Sequence, residues 1–261
     1  MCGELKSEST FNSHELMANN HTVLFTASKR YFYSCEYCAV CTQRVASLGR
    51  WLIGTYDINS ERVNILHRFQ TGDRQRYSWS IRSVVGSRAL MQSDSYYFLE
   101  LPSNQLTRLS LDAEFAQNSR MQKESAPIPQ LLDEEGTFLI TQTVDKKITR
   151  NTIEYEYWVR HPDGKYQRLG IGDRVIHQAD TAYLWNFETH RPLAYSLKTR
   201  TLRSVTERQY QTVALQQQNI PEPNIHVQYQ MSPSARLHIG RRFGKDWNYK
   251  MSTVTAASLK W

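Results

Sequence analysis

Cysteine is scarce in this chain: four among 261 residues, Cys2, Cys35, Cys38 and Cys41. Four thiols, three of them crowded together, cannot build a disulfide scaffold, so reduced cysteines are expected. Long apolar runs are also missing. Nothing approaches the roughly 18 residues needed to cross a bilayer as a helix. The opening MCGELKSEST is polar and has no apolar core of a secretory signal. A soluble, cytoplasmic protein is the expectation, with residues 1–20 as a polar tail. The sequence holds no G-x-x-x-x-G-K-[ST] phosphate loop, no H-E-x-x-H and no G-x-S-x-G. Gly170-Ile171-Gly172 is too short for a dinucleotide fingerprint, and the eight histidines are scattered rather than paired at i, i+4. No cofactor is expected on these grounds.

Aromatic residues are plentiful: 15 Tyr, 9 Phe and 6 Trp, with β-branched residues beside them. That mixture suits pleated, half-buried surfaces better than helices. Five segments share one pattern, an apolar-aromatic run, a polar turn and a second alternating run. They are GTYDINSERVNIL from Gly54, YFLELPSNQLTRLSL from Tyr97, YWVRHPDGKYQRLGI from Tyr157, LAYSLKTRTLRSV from Leu193 and VQYQMSPSARLHI from Val227. Each predicts a hairpin. Their turn centres, near Ser60, Asn104, Asp163, Thr199 and Pro233, lie 34 to 59 residues apart. Further strand-like runs sit upstream of each: 31–38, 79–90, 137–144, two short runs within 174–187, and 212–216. The longest gap holds residues 112–136, where Asp112 can cap a short helix that Pro127 and Pro129 stop. This segment reads as an insertion.

Units of about 40–50 residues built from four short strands are the signature of propeller blades. LAYSLKTRTLRSV and TYDINSERVNIL resemble the outer hairpins of β-propeller repeat proteins, without the Trp-Asp endings or double glycines of particular propeller groups. The resemblance implies an all-β propeller of about five four-stranded blades, six if the flanking strands add one. Residues 21–261 would be a single domain, with a short helical insertion at 112–136. Val23–Ala27 and Lys250–Ala256 would close the ring within a shared blade. Evenly spaced strands also fit a large β-sandwich or barrel.

Three groups of residues bear on chemistry. Cys35, Cys38 and Cys41 have C-x2-C-x2-C spacing, which can bind zinc or an iron–sulfur cluster with a fourth ligand such as His67, Cys2 or His21. On a strand, however, Cys38 would face away from the other two, which favours buried thiols and no metal. Asp94, Glu154, Glu156, Asp180 and Glu188 are the carboxylates nearest the inner strand runs, and a glycosidase would need two of them across a bond. Finally, residues 195–261 hold ten Lys/Arg against three Asp/Glu, so this third carries the whole net charge of +7. Within it Arg241, Arg242, Lys245 and Lys250 interleave with Phe243, Trp247 and Tyr249, the ingredients of polyanion binding. The function expected is a non-enzymatic binding module whose loops contact another protein, with segment 112–136 and the basic third as contact surfaces. A carbohydrate-active propeller and a nucleic-acid or other polyanion binder are the alternatives.

Overall fold

The computed structural model describes residues 5–17, 19, 21–33, 45–71, 78–111, 126–144, 154–218, 225–230, 235–241 and 252–261. Among them the chain is all-β with one α-helix. Successive strands form antiparallel meanders, each strand pairing with the next in sequence. The first sheet contains β1 (Leu5–Leu16), β2 (Thr22–Tyr33), β3 (Val45–Asp57) and β4 (Arg62–Thr71). The second contains β5 (Ser80–Val85), β6 (Arg88–Gln92), β7 (Tyr96–Glu100) and β8 (Gln105–Leu109). The third contains β9 (Ile128–Leu131), β10 (Phe138–Thr143), β11 (Tyr155–Arg160) and β12 (Tyr166–Gly172). The fourth contains β13 (Val175–Gln178), β14 (Thr181–Asn186), β15 (Arg191–Ser196) and β16 (Thr201–Ser204). The fifth has three strands, β17 (Ile225–Gln230), β18 (Arg236–Arg241) and β19 (Ser252–Thr255). Four-stranded meanders of this kind fit the blades of a β-propeller.

All five expected hairpins are present, as β3–β4, β7–β8, β11–β12, β15–β16 and β17–β18. In the β3–β4, β11–β12 and β15–β16 turns the short polar side chains of Asp57, Asp163 and Ser196 accept from backbone amides. Asp57 Oδ1 accepts from the backbone amides of Asn59 and Ser60 at 3.1 and 2.7 Å, and Glu61 then turns left-handed at φ 54°. Asn104 and Arg200 adopt the same left-handed conformation at the corresponding turns.

The structure differs from the sequence expectation at four places. Residues 5–16, expected as a tail, form β1. Its polarity conceals the strand because its hydroxyls are satisfied across the ladder: Thr10 Oγ1 lies 3.0 Å from Ser28 Oγ, and Ser13 Oγ 2.8 Å from Thr26 Oγ1. Phe11 fills the core of the same strand. Ile128–Leu131, expected within the insertion, is the edge strand β9. An edge tolerates Pro129, whose missing N–H is needed by no neighbour. Residues 212–216, expected as a strand, lie in helix α1 (Glu207–Gln218). The reason is a capping box: Thr206 Oγ1 accepts from the Gln209 amide at 3.2 Å, while Gln209 Oε1 accepts from the Thr206 amide at 3.0 Å. Lastly, the N- and C-terminal sheets share no strand among the described residues; β2 carries Val23–Ala27 and β19 pairs only with β18.

The chain forms two compact units, Met1–Arg108 with Pro223–Trp261, and Leu109–Glu222. In the first unit the first sheet buries both faces. Phe11, Val23, Phe25, Leu52 and Tyr56 pack on Leu237 and Val254 of the fifth sheet. The alternate residues Leu24, Trp51 and Ile53 pack on Trp79, Ala89, Met91 and Leu99 around the second sheet. That is the two-residue period of a strand read out on two neighbours. In the second unit Leu139, Tyr157, Val159 and Leu169 of the third sheet pack on Ala182, Leu184 and Tyr195 of the fourth. The opposite face of the fourth sheet, through Ile176, Tyr183 and Trp185, receives Tyr210 and Val213 of α1. Each large apolar side chain so buried contributes about 1.5–3 kcal/mol, more than an exposed ion pair gives.

Candidate functional site

Three places among the described residues could carry chemistry, and their geometry separates them. The first is the carboxylate set. Glu156 on β11 and Glu188 in the β14–β15 turn are brought together, with an arginine between them. Arg168 donates from Nε to Glu156 Oε1 at 2.5 Å and from Nη2 to Glu188 Oε1 at 2.8 Å. Those two bonds raise the guanidinium pKa above its ordinary value. The Glu156 side chain is buried, 5% exposed, while its partner Arg168 reaches solvent at 38% exposed. Two carboxylates held on one guanidinium form an ion-pair staple. Asp94 accepts from the Tyr97 hydroxyl at 2.8 Å. Glu154 and Asp180 each use a backbone carbonyl, to the amides of Val144 and Leu197.

The staple belongs to a larger join between the third and fourth sheets. The β11–β12 ladder slips by one residue between Tyr157 and Trp158, leaving Leu169 as a bulge before Gly170. Gly170 has φ +133°, and a Cβ there would meet Asn186 Nδ2 at 2.1 Å. Asn186 is buried. It donates to the Leu169 carbonyl at 3.4 Å and accepts from the Glu188 and Thr189 amides at 2.8 and 3.2 Å. The Phe187 amide adds a backbone bond to the Ile171 carbonyl at 2.8 Å. The Gly-Ile-Gly run thus allows close approach between sheets.

The second place is a buried pair, Tyr195 and His161. The Tyr195 hydroxyl lies 2.9 Å from His161 Nε2. Burial pushes the Tyr195 phenol up to about 12 and lowers the pKa of His161, so both are neutral near pH 7. The pair satisfies itself inside the core.

The third place is open. A groove of about 360 Å³ runs on the helix-covered face of the fourth sheet, lined by Tyr183, Arg203, Val205, Thr206, Arg208, Gln209, Thr212 and Val213. Registers explain why Arg203 faces it: Tyr183, Ala194 and Arg203 are opposite one another across β14, β15 and β16, so they share a face. Arg208 and Thr212 are one helical turn apart on α1 and present the second wall. Val213 supplies apolar surface between them. Among the described residues neither arginine forms an ion pair. Sequence reasoning located the basic third but not these two positions. The Thr206-x-x-Gln209 box was the signal that could have placed α1, and with it Arg208.

The other residues singled out in the sequence are distributed as follows. Arg241 ends β18, opposite Ile225. Arg242, Phe243, Lys245, Trp247, Tyr249 and Lys250 lie outside the described residues, as do Cys35, Cys38, Cys41 and residues 112–125. His67 stacks on Phe69 at 5.9 Å, and His21 Nδ1 lies 2.7 Å from the Asn19 carbonyl. Among the described residues no group of three His, Cys, Asp or Glu could hold a metal ion. None of their helices is long and apolar enough to cross a membrane, which says nothing of strands.

No family model matches the chain. No curated protein matches its sequence. Among solved structures, similarity is found to an oligogalacturonate lyase in complex with manganese, at TM-score 0.38 and 4% identity over 75% of this chain and 52% of that one. An oligogalacturonate lyase from Vibrio parahaemolyticus gives TM-score 0.35 and 6% identity over 78% and 55%. The chain spans about half the length of these two lyases. The β-propeller domain of the trilobed protease from Pyrococcus furiosus, described as having an open velcro topology, gives TM-score 0.32 and 8% identity over 95% and 85%.

Proposed function

We propose that this chain is a non-enzymatic binding module, a propeller-type scaffold that engages a partner protein through a basic face. The observation that carries the reading is the groove beside α1, where Arg203 and Arg208 share the lining with Tyr183, Val205 and Val213 and neither is neutralised by a carboxylate among the described residues. Cations left unpaired at a concave surface attract an acidic partner and steer its approach. The run 241–250 adds a second cationic segment to the same proposal. Two of the five carboxylates a glycosidase could have drawn on, Glu156 and Glu188, both bind Arg168.

The test is cross-linking and affinity capture of the tagged full chain from its native cells, against an Arg203→Glu/Arg208→Glu variant of unchanged thermal stability. A partner retained by the native chain and lost from the variant supports the reading. Equal capture by both, or glycan cleavage that Glu156→Gln abolishes, would sink it.

A further inference from the structure

We propose that the groove receives an extended acidic segment of a protein, added as a fifth strand to the edge of the fourth sheet; this deepens the binding-module reading and rests on it. The open edge belongs to β16. It pairs with β15 on one side only and closes the sheet order, so its other edge has no strand partner among the described residues. All four of its residues are exposed. The Val205 amide donates to the Pro192 carbonyl at 3.0 Å, which makes that aligned pair a hydrogen-bonded one. Antiparallel pairs alternate, so Thr201 and Arg203 spend their backbone groups on β15 and Val205 spends its N–H there, Pro192 having no N–H to return. Leu202 and Ser204 therefore turn their N–H and C=O groups outward, to the open edge. An incoming extended chain finds donors and acceptors at strand spacing there.

The side chains state what that chain should carry. Arg203 lies on the helix-covered face, beside the groove with Arg208. Leu202 is opposite Tyr195 and so lies on the other face, 37% exposed. A strand laid along β16 alternates its own side chains between the same two faces. On the groove side carboxylates meet two guanidiniums whose planar forks match them. On the other side apolar residues cover Leu202. The ligand class is thus an alternating acidic–apolar peptide. Two arginines in a short groove with Val205 and Val213 in its lining fit a few carboxylates; a nucleic acid would need a longer file of cations, and its bases a stacking platform.

The test uses the full chain and a fluorescent octapeptide alternating valine and glutamate, read by anisotropy, with hydrogen exchange at β16. Expected are saturable binding, about tenfold or more weaker affinity in Arg203→Gln and in Arg208→Gln, weaker binding as salt rises, and slowed exchange at Leu202 and Ser204. A valine–lysine octapeptide should not bind. An acidic peptide that binds equally well when N-methylated along one edge, or that leaves Leu202 and Ser204 unprotected, overturns strand addition while the basic-face reading survives. A single-stranded RNA oligomer that binds through Arg203 and Arg208 more tightly than the peptide overturns the peptide as occupant. No binding by the peptide, with arginine-dependent capture intact, removes this inference alone; loss of both removes the reading beneath it.

Discussion

Gly170 and Asn186 show how single residues decide a sheet-to-sheet contact. The backbone at Gly170 is at φ +133°, a region side chains rarely enter, and Asn186 occupies the space a Cβ would need. Asn186 in turn gives each polar end of its amide a backbone partner, so it cannot withdraw without stranding them. Gly170→Ala combines backbone strain with overpacking, and its expected cost is about 2–4 kcal/mol. A shift of the urea midpoint would measure it. A change below about 0.5 kcal/mol, the scatter of ordinary surface substitutions, would contradict this account. Nothing in the local sequence announces the constraint. Gly170-Ile171-Gly172 resembles a truncated nucleotide loop until its neighbours are in place.

Elements follow the sequence where a pattern is local and depart from it where polar groups are satisfied at a distance. The five hairpins carry their own turn chemistry and strand alternation, so each forms where its residues predict. Strand β1 does not look like one, since Thr10 and Ser13 find their partners on β2 and, for Ser13, also in the Ile81 amide of β5. Helix α1 looks like a strand over Thr212–Gln216 unless the box beginning at Thr206 is read first. Its apolar contribution is small, chiefly Tyr210 and Val213 against Ile176. A helix so lightly anchored depends on its cap. Thr206→Ala removes one half of the box, and the second unit should lose about 1 kcal/mol of stability. Hydrogen exchange would show faster opening at residues 207–210, with the sheets little changed.

Among the described residues of the whole chain, three histidines tie stability to pH, buried His161 and half-buried His67 and His177. Burial lowers the pKa of His67 in the first unit and of His161 and His177 in the second. A histidine whose folded pKa is depressed takes up its proton in the unfolded chain first. Its stabilisation is therefore complete above the ordinary value of 6.5 and is lost as pH falls from there toward the folded value. Thermal melts should be level between pH 7 and 8 and fall in steps below about 6.5. The hydrogen bond His177 donates to the Ala179 backbone and the fields of Asp133 and Asp180 raise its pKa but do not outweigh burial. His177→Gln should flatten part of the fall. An unchanged slope would place the acid sensitivity elsewhere.

By itself the sequence determined the strand period, the turns and the concentration of positive charge, because each depends on residues close together in the chain. The all-β class and the five hairpins follow from those. Tertiary structure decided which carboxylates meet, which arginines stay free and which polar segments become strands. Glu156 and Glu188 were visible as candidates, but Arg168 reaches both only after the β11–β12 bulge and the β14–β15 turn converge. Arg203 and Arg208 sit five positions apart, yet only the register of β16 and the cap of α1 turn them toward one groove. A charge's role depends on what stands opposite it in space, and that is fixed by packing between elements rather than by order along the chain.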